Sequence, residues 1–315
     1  MLTLHDIKQA QEHLNGAVRR TPIIAASPFK NKLTTTQSLY LKLECLQITG
    51  SFKARGAMNK VLSLGPEDLQ RGIVTASGGN HGLGVAYAGW TAGVPVTIYL
   101  PHNTPPIKAQ KLESWGAKVV LEGAVWDDAN QAALEKASQD GLTYIHPFAD
   151  PLVIAGQGTV GLEILEDVPN VDVLVVAIGG GGLISGVSTA VKSLRPDIKV
   201  FGVEPTGAPT LYESLKAGKV IELPKVHTLA NTLAPRQSAH LNFEIIRERV
   251  DEIVLVTDEE MLKAAQWLWT EMNVAAELSG AAALAALQSA KLPLEPEQRI
   301  AVLVCGAGTD GLAKS

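Results

Sequence analysis

One lysine of this sequence stands where a nucleophilic amine could work. Lys53 follows Phe52 in TGSFKARG, among small and apolar residues where a turn meets a helix. Apolar surroundings lower the pKa of a lysine and leave part of it as the neutral amine, which can form a Schiff base with an aldehyde. The alternative is that Lys53 pairs with a carboxylate or extends to solvent, so other motifs must decide between the two.

A run of four glycines offers the backbone of a helix start to an anion. The segment IGGGGLISG, residues 178–186, contains Gly179, Gly180, Gly181 and Gly182 before Leu183. Bare backbone N–H groups at the positive end of a helix suit a phosphate. The spacing matches neither the dinucleotide fingerprint nor the P-loop, which weakens a nicotinamide dehydrogenase as an interpretation. A close contact between strand and helix is the alternative, but four consecutive glycines favour a phosphate.

A second glycine-rich turn carries polar side chains. The segment ASGGNHG, residues 76–82, contains Ser77, Gly78, Asn80 and His81. Hydroxyl and amide groups can bind the polar edge of a ligand, and the N–H groups of a helix start can bind a carboxylate. His81 alone is weak support for catalysis, because a histidine in a first helical turn is more often a structural hydrogen-bond partner.

An amine, a phosphate site and a carboxylate site on one chain together indicate pyridoxal phosphate. This cofactor carries an aldehyde, which suits Lys53, and a phosphate, which suits the glycine run, and its ring withdraws electrons from a bound substrate. Ligands of parallel sheets bind in the turns where strands end, so these turns can meet. We therefore expect pyridoxal phosphate attached to Lys53.

The elements that must position these residues are alternating strands and helices. Short and nearly continuous apolar runs indicate strands covered on both faces, and segments of helical spacing separate them. This alternation predicts an α/β fold with parallel sheets and right-handed crossovers. The spacing predicts two domains, each with a mainly parallel sheet flanked by helices: a large domain of residues 1–65 plus 147–315 and a small domain of residues 66–146, with a crossover at 146–159 and a cleft between the sheets. The strand runs are 73–77, 96–100, 118–123, 143–148, 171–179, 199–205, 251–258 and 299–308.

Composition restricts the class of protein. The 315 residues are 46% hydrophobic, with a net charge of −5 and a pI near 5.8, which argues against a nucleic-acid or acidic-membrane partner. No apolar run is long enough for a transmembrane helix, and the N-terminus predicts an amphipathic helix, not a signal peptide. Cys45 and Cys305 lack metal-ligand spacing and suit a reducing compartment. A cytoplasmic location is expected.

Four motifs in order resemble those of the fold-type II pyridoxal-phosphate enzymes. They are SFKARG at 51–56, SGGNHG at 77–82, AGQGT at 155–159 and GGGGL at 179–183. The resemblance extends from about Thr21 to Gly308 and is closest to the serine/threonine dehydratase (threonine ammonia-lyase) and serine racemase group. It implies the tryptophan synthase β-like fold, with the cofactor between a large and a small domain.

The resemblance also implies a role for each motif residue. Lys53 is the Schiff-base lysine and the base at Cα, Phe52 packs beside the cofactor ring, and Asn80 bonds the 3-hydroxyl oxygen of the ring. Cys305 faces the pyridine nitrogen, where a thiol makes a weaker electron sink than an aspartate and favours loss of a β-substituent. The loop for the substrate carboxylate is Ser77, Gly78, Asn80 and His81, and the phosphate cup is Gly179, Gly180, Gly181, Gly182 and Leu183.

Two departures from the racemases favour a dehydratase. Gly78 stands where the racemase has the serine that serves the second face of Cα, and Phe148 stands where the racemase has asparagine. The expected activity is β-elimination of a 3-hydroxy L-amino acid, such as L-threonine or L-serine, to a 2-oxo acid and ammonia. The alternatives are a serine racemase with side lyase activity, a 3-hydroxyaspartate ammonia-lyase, and a catalytically silent amino-acid or cofactor sensor.

Further expectations come from the resemblance alone. A monovalent or divalent cation site would use Glu204 and the Ala208 carbonyl, although Thr210 replaces the aspartate of the racemase. Asn231 and Thr232 depart from the usual TLADG segment and bear on substrate preference. A homodimer is the family expectation, and the chain length leaves no room for the regulatory domain of biosynthetic threonine dehydratases, so isoleucine feedback is not expected.

Overall fold

Two separate sheets organise the chain. The structure, a computed structural model, describes residues 2–27, 30 and 38–312. Within these residues, a six-stranded sheet has the order β1-β2-β10-β7-β8-β9 and a four-stranded sheet has the order β5-β4-β3-β6. Only the β1–β2 pairing is antiparallel among the strand pairs of the described residues. The strands are β1 Ile23–Ala25, β2 Ser38–Lys42, β3 Ile73–Ala76, β4 Val96–Leu100, β5 Lys118–Leu121, β6 Thr143–Tyr144, β7 Val173–Ala177, β8 Lys199–Pro205, β9 Glu252–Val256 and β10 Arg299–Leu303.

Helices cover the faces of both sheets. Several begin at sequence signals: Asp150 caps the helix that starts at Pro151 by accepting from the backbone N–H of Leu152, and Thr257 and Glu260 form a capping box. The helices are α1 Leu4–Leu14, α2 Lys53–Leu62, α3 Pro66–Arg71, α4 Asn80–Ala92, α5 Pro106–Glu113, α6 Trp126–Asp140, α7 Pro151–Asp167, α8 Gly182–Leu194, α9 Thr210–Ala217, α10 His240–Arg249, α11 Asp258–Met272 and α12 Leu278–Gln288.

The predicted fold class is confirmed. All eight predicted runs contain a strand, and the four strands between residues 73 and 144 form the smaller sheet. The segment 146–159 leads through α7 to the larger sheet, as expected of a crossover. β1 and β2 were not predicted. No helix of the described residues is both long and apolar enough to span a bilayer.

Helix α2 belongs to the core of the smaller sheet although it precedes that sheet in the chain. Ala54, Ala57, Met58 and Val61 of α2 pack with residues of β3, β4 and α4 in one buried cluster. The predicted domain boundaries at 65/66 and 146/147 remain a prediction, and their large domain includes residues outside the described ranges. Because α2 packs against the smaller sheet, the two halves of the molecule share this helix.

A buried ion network fixes the other side of α2. Arg55 Nη1 donates to Glu163 Oε1 of α7 at 2.6 Å, and Arg55 Nε donates to Glu44 Oε2 at 2.8 Å. Lys42 Nζ, at the end of β2, donates to Glu163 Oε2 at 2.6 Å. Burial by itself would raise the pKa of Glu44, but the Arg55 guanidinium outweighs it and holds the pKa below its ordinary value. Two cations and two carboxylates therefore balance inside the protein.

Glycines bring four helices into backbone contact. A Cβ built on Gly84 of α4 would lie 2.9 Å from the Lys53 carbonyl oxygen of α2, a distance that real Cβ atoms do not reach. The helices α2, α7 and α8 continue this stack at two further contacts. A Cβ on Gly156 would lie 2.7 Å from the Gly56 Cα, and one on Gly186 would lie 2.6 Å from the Gly158 nitrogen.

Candidate active site

The predicted site residues stand at the starts of three stacked helices. Lys53 begins α2, Asn80 begins α4 and Gly182 begins α8. Each of these helix starts follows a strand or a turn. Cys305 follows β10 in the larger sheet, and the backbone N–H of Phe52 donates to the Cys305 carbonyl oxygen at 3.4 Å. Contacts connect the three motifs: Lys53 Nζ reaches the Pro147 carbonyl oxygen, and Phe148 packs against Gly180. Asn80 is linked through Glu277 to Thr232, which borders Gly179.

The Lys53 side chain is half-buried. Its Nζ donates to the Pro147 carbonyl oxygen at 2.6 Å and lies 5.1 Å from the centroid of the Phe52 ring. Burial lowers the pKa of Lys53 to about 8, with a smaller opposing effect from Cys305. An appreciable fraction of neutral amine is therefore present near neutral pH.

The glycine cup is shaped by Phe148. A Cβ on Gly180 would overlap the Phe148 ring, and a Cβ on Gly182 would lie 2.9 Å from the Phe148 carbonyl oxygen. Asn242 Nδ2 donates to the Gly180 carbonyl oxygen at 2.6 Å, and the Ser238 hydroxyl donates to the same oxygen at 3.0 Å. These two side chains hold the backbone of the cup in place. The N–H groups in the first turn of α8 have no acceptor within the helix and can therefore bind an anion.

The short segment Pro147–Phe148 contacts both the Lys53 amine and the glycine cup, residues 179–183. Pro147 accepts from Lys53 Nζ, and the next residue, Phe148, packs on the cup. A Cβ on Gly179 would lie 2.7 Å from the Thr232 carbonyl oxygen, so the unusual segment around Asn231 also borders the cup. Pro147 and Phe148 thus link the Lys53 amine to the glycine run.

The polar loop presents backbone and small side chains to the cleft. Ser77, Gly78 and Asn80 are partly buried, and the Ser77 hydroxyl accepts from the Gly79 N–H at 3.3 Å. A Cβ on Gly78 would lie 3.3 Å from Leu100 Cδ2 and 3.8 Å from Lys108 Cδ. The loop therefore leaves free N–H groups at the start of α4 next to a position without a side chain.

His81 has a structural environment. Its buried Nε2 lies 3.0 Å from the Ile145 carbonyl oxygen and 3.1 Å from the Thr75 hydroxyl. A carbonyl accepts only, so Nε2 carries the proton and Nδ1 has no partner among the described residues. Burial lowers the pKa of His81 to about 3, and the charge of Lys53 adds to this effect. The ring is therefore neutral at ordinary pH and bonds to the smaller sheet.

Burial also keeps a second histidine near the amine neutral. His146 Nδ1 accepts from the Ala149 N–H at 2.9 Å and from the Phe148 N–H at 3.2 Å. Burial lowers the pKa of His146 to about 4, again with a contribution from the charge of Lys53. This neutral ring fixes the Pro147–Phe148 segment between the amine and the cup.

Glu277 is a site residue that the sequence did not predict. Its Oε1 accepts from Asn80 Nδ2 at 2.8 Å and from the Thr232 hydroxyl at 3.3 Å. Burial raises the pKa of Glu277 to about 7. One signal could have found it: Glu277 is a single carboxylate in the otherwise uncharged stretch VAAELSGAAALAAL, residues 274–287.

Cys305 is a free, buried thiol that follows β10. Its Sγ donates to the Ser279 carbonyl oxygen at 3.4 Å. Burial raises the pKa of Cys305 well above its ordinary value, and the charge of Glu277 adds to the effect. The thiol is thus neutral, which suits a weak partner for a pyridine nitrogen.

Glu204 lies near the end of β8, and Ala208 lies between β8 and α9. Both Glu204 oxygens accept backbone N–H groups, from Leu211 at 2.9 Å and from Tyr212 at 2.8 Å. Burial raises the pKa of Glu204 to about 8. No group of three or more histidine, cysteine or acidic residues with metal-site geometry occurs in the described part of the chain. The cation site therefore remains a prediction.

The residues present fit pyridoxal phosphate. Lys53 would supply a partly neutral amine, and the cup would supply a cradle that a Cβ on Gly180 would fill. Asn80 and Cys305 would supply polar groups for the ring, and Phe52 borders the amine.

Comparisons with known proteins agree with this fit. The family model described as pyridoxal-phosphate dependent enzyme matches residues 14–306. The L-threonine ammonia-lyase of Thermotoga maritima is 44% identical over 310 residues, covering 98% of this chain and 76% of that protein. Maize serine racemase superposes with a TM-score of 0.93 at 34% identity, over 98% of this chain and 94% of that one. Threonine deaminase isoform 2 from Solanum lycopersicum superposes with a TM-score of 0.91 at 36% identity, over 97% and 83% of the two chains. The extent of these matches shows that this chain belongs to the pyridoxal-phosphate-dependent enzymes.

Proposed function

We propose that this enzyme is an ammonia-lyase that converts a 3-hydroxy L-amino acid, L-threonine or L-serine, to a 2-oxo acid and ammonia. The observation that carries the proposal is the half-buried Lys53 amine, whose pKa burial lowers to about 8 and which contacts Pro147, the neighbour of the residue that packs on the glycine cup. Relatives named L-threonine ammonia-lyase support the choice of reaction.

Each part of the site has a task in this reaction. The cofactor supplies an electron-withdrawing ring that acidifies the Cα–H bond of the bound amino acid. Lys53 holds the cofactor at rest; once the substrate amine has displaced it, its neutral amine would accept the Cα proton while the β-hydroxyl leaves as water. The glycine cup holds the phosphate, the N–H groups at the start of α4 hold the substrate carboxylate, and Asn80 holds the oxygen on the ring. The Cys305 thiol, neutral because burial raises its pKa, does not promote transamination.

Gly78 carries the preference for elimination over racemisation. A racemase needs a proton donor on the face of Cα opposite the lysine, and Gly78 has no side chain to provide one. The likeness to maize serine racemase keeps racemisation as the second candidate.

The deciding experiment measures products from a panel of 3-hydroxy amino acids. We expect release of 2-oxobutanoate from L-threonine and pyruvate from L-serine, measured by a keto-acid assay, with 3-hydroxyaspartate included as the dicarboxylic alternative. Chiral chromatography of the serine reaction tests racemisation directly. D-Serine forming faster than pyruvate would replace the proposal by the racemase, and the absence of turnover on every substrate would favour a sensor.

Closing the glycine cup should weaken cofactor binding. In Gly180→Ala the new methyl group would overlap the Phe148 ring. Overpacking of this kind costs about 1–3 kcal/mol, so we expect the cofactor to bind roughly ten- to hundredfold more weakly. Equilibrium dialysis of cofactor against apoprotein measures this. Gly218→Ala, in a surface turn where a Cβ would meet no atom within 4 Å, is the control, although its φ of +66° adds local strain. Unchanged affinity in Gly180→Ala would contradict the assignment of the cup.

A homodimer and a cytoplasmic location complete the proposal. Both come from the resemblance and composition of the chain. Light scattering on the purified enzyme, at several concentrations, measures the oligomeric state, and a constant monomer mass would refute the dimer.

A further inference from the structure

Glu277 lies where polar groups from both sheets meet. Asn80 reaches it from the start of α4, beside the smaller sheet, and Thr232 reaches it from the Asn231–Leu233 turn beside the cup. The Thr232 hydroxyl in turn lies within hydrogen-bond distance of the Ser279 hydroxyl. A Cβ on Gly306 would overlap the Glu277 carboxylate, so the carboxylate occupies this place only because residue 306 is glycine.

The carboxylate decides which way the Asn80 amide faces. An ionised carboxylate only accepts hydrogen bonds, so the 2.8 Å contact requires the Asn80 nitrogen, not its oxygen, to face Glu277. A half-turn of the amide would place two acceptors against each other with no hydrogen between them. The amide nitrogen has two N–H groups, and one of them remains for a second acceptor.

We propose that Glu277 is a positioning residue, which fixes the Asn80 amide so that its free N–H is presented to the oxygen on the cofactor ring. The inference rests on the proposed function only for the placement of Asn80 at the ring, and it does not depend on which amino acid is the substrate. Glu277 acts through Asn80 and has no contact of its own with the cofactor in this assignment.

Protonation of Glu277 removes its preference for one orientation of the Asn80 amide. A neutral carboxyl group can donate to the Asn80 oxygen as well as accept from its nitrogen, so both orientations of the amide become possible. Burial raises the pKa of Glu277 to about 7. The negative charge of Asp310 also raises this pKa, whereas the hydrogen bond from Asn80 and, more weakly, the positive charge of Lys108 on α5 lower it. Cys305 also faces this group but stays neutral. The amide is therefore held above about pH 7 and released below it, so cofactor affinity should fall as the pH falls.

The test measures the cofactor in the absence of substrate. We record the absorption spectrum and the dissociation constant of pyridoxal phosphate between pH 6 and 8.5 for the wild type and Glu277→Gln. Loss of one hydrogen bond predicts affinity weaker by about three- to tenfold at pH 6 than at pH 8 in the wild type. Glu277→Gln is uncharged throughout, so the change centred near pH 7 should disappear and affinity should stay at its weaker value. The contribution of Lys53, with its pKa near 8, is common to both proteins.

Controls separate positioning from general damage. Glu166→Gln removes the same charge from a surface ion pair with Arg20 and should keep the transition. In an Asn80→Ala background, Glu277→Gln should have no further effect on the dissociation constant, because the amide it orients is gone. A transition that persists in Glu277→Gln, or additive effects in the double variant, would overturn the proposal.

A second variant keeps the proposal testable if Glu277→Gln folds poorly. Thr232→Val keeps the carboxylate and removes a hydroxyl that stabilises its charged form, so the transition should move to higher pH. A transition that stays at the same pH in Thr232→Val would contradict the positioning role of Glu277. Failure of this inference is distinct from failure of the lyase proposal, because the affinity and spectrum are read without turnover: an enzyme without lyase activity can show the transition, and an active lyase can lack it.

Discussion

Lys53→Ala should reduce 2-oxo-acid release from L-threonine by at least about 10³-fold, because general-base transfer alone contributes about 10²–10⁴. The variant loses both the covalent anchor of the cofactor and the amine that donates to the Pro147 carbonyl oxygen. We expect the visible absorption of the bound cofactor to disappear with the activity. Stopped assays of keto acid and an absorption spectrum of the same sample measure both.

A control on the same helix is available. Lys60 lies in the last turn of α2 and pairs with Asp150 at 2.8 Å, so Lys60→Met should retain both the absorption and the activity. Wild-type apoprotein should attach the cofactor faster as the pH rises through about 8, since burial lowers the pKa of Lys53 to that value and only the neutral amine reacts. Turnover retained in Lys53→Ala would refute the mechanism.

Arg55→Met should give the largest loss of stability. Arg55 is 1% exposed and bonds both Glu44 and Glu163, so its removal leaves two buried carboxylates with Lys42 as their remaining cation. Removing one partner from a buried ion pair costs about 3–5 kcal/mol. For a chain of this size, we expect the melting temperature to fall by roughly 10 °C. Calorimetry or circular dichroism of the apoprotein at fixed pH measures the change.

An exposed pair provides the comparison. Arg236 pairs with Glu222 at 2.8 Å, and both side chains are about half exposed. Such pairs contribute about 0–1 kcal/mol, so Arg236→Met should shift the melting temperature by at most a few degrees. Equal shifts in the two variants would show that the buried network does not stabilise α2 as its contacts suggest.

The strands that the sequence revealed were those with continuous apolar runs. Val173–Ala177 and Arg299–Leu303 are covered on both faces and carry that pattern plainly. Ser38–Lys42 was missed because its run SLYLK is short and ends in a lysine, which ordinarily indicates the surface. Lys42 is buried because Glu163, 121 residues later, pairs with it, and a single sequence does not show such a distant partner.

The same distinction applies to the candidate site. Lys53 and the glycine run stood out because their residue types are unusual in their surroundings, and each belongs to a local motif. The role of Glu277 depends on its hydrogen bond with Asn80, 197 residues earlier, and on the space left by the missing side chain of Gly306. The sequence around Glu277 shows neither. His81 is the opposite case: its place in a first helical turn indicated a structural hydrogen-bond partner, and its ring bonds to Thr75 and Ile145.

The stacked helices have a consequence for how this enzyme can change. Gly84 contacts the backbone of Lys53, and Gly156 contacts the backbone of Gly56. Backbone atoms, unlike side chains, cannot change rotamer to relieve such a contact. The spacing of the helices that begin at Lys53, Asn80 and Gly182 is consequently set in part by main-chain contact, which side-chain repacking does not change. Residues lining the rest of the cleft are then free to vary, so new substrates can be accommodated while the cofactor keeps its place.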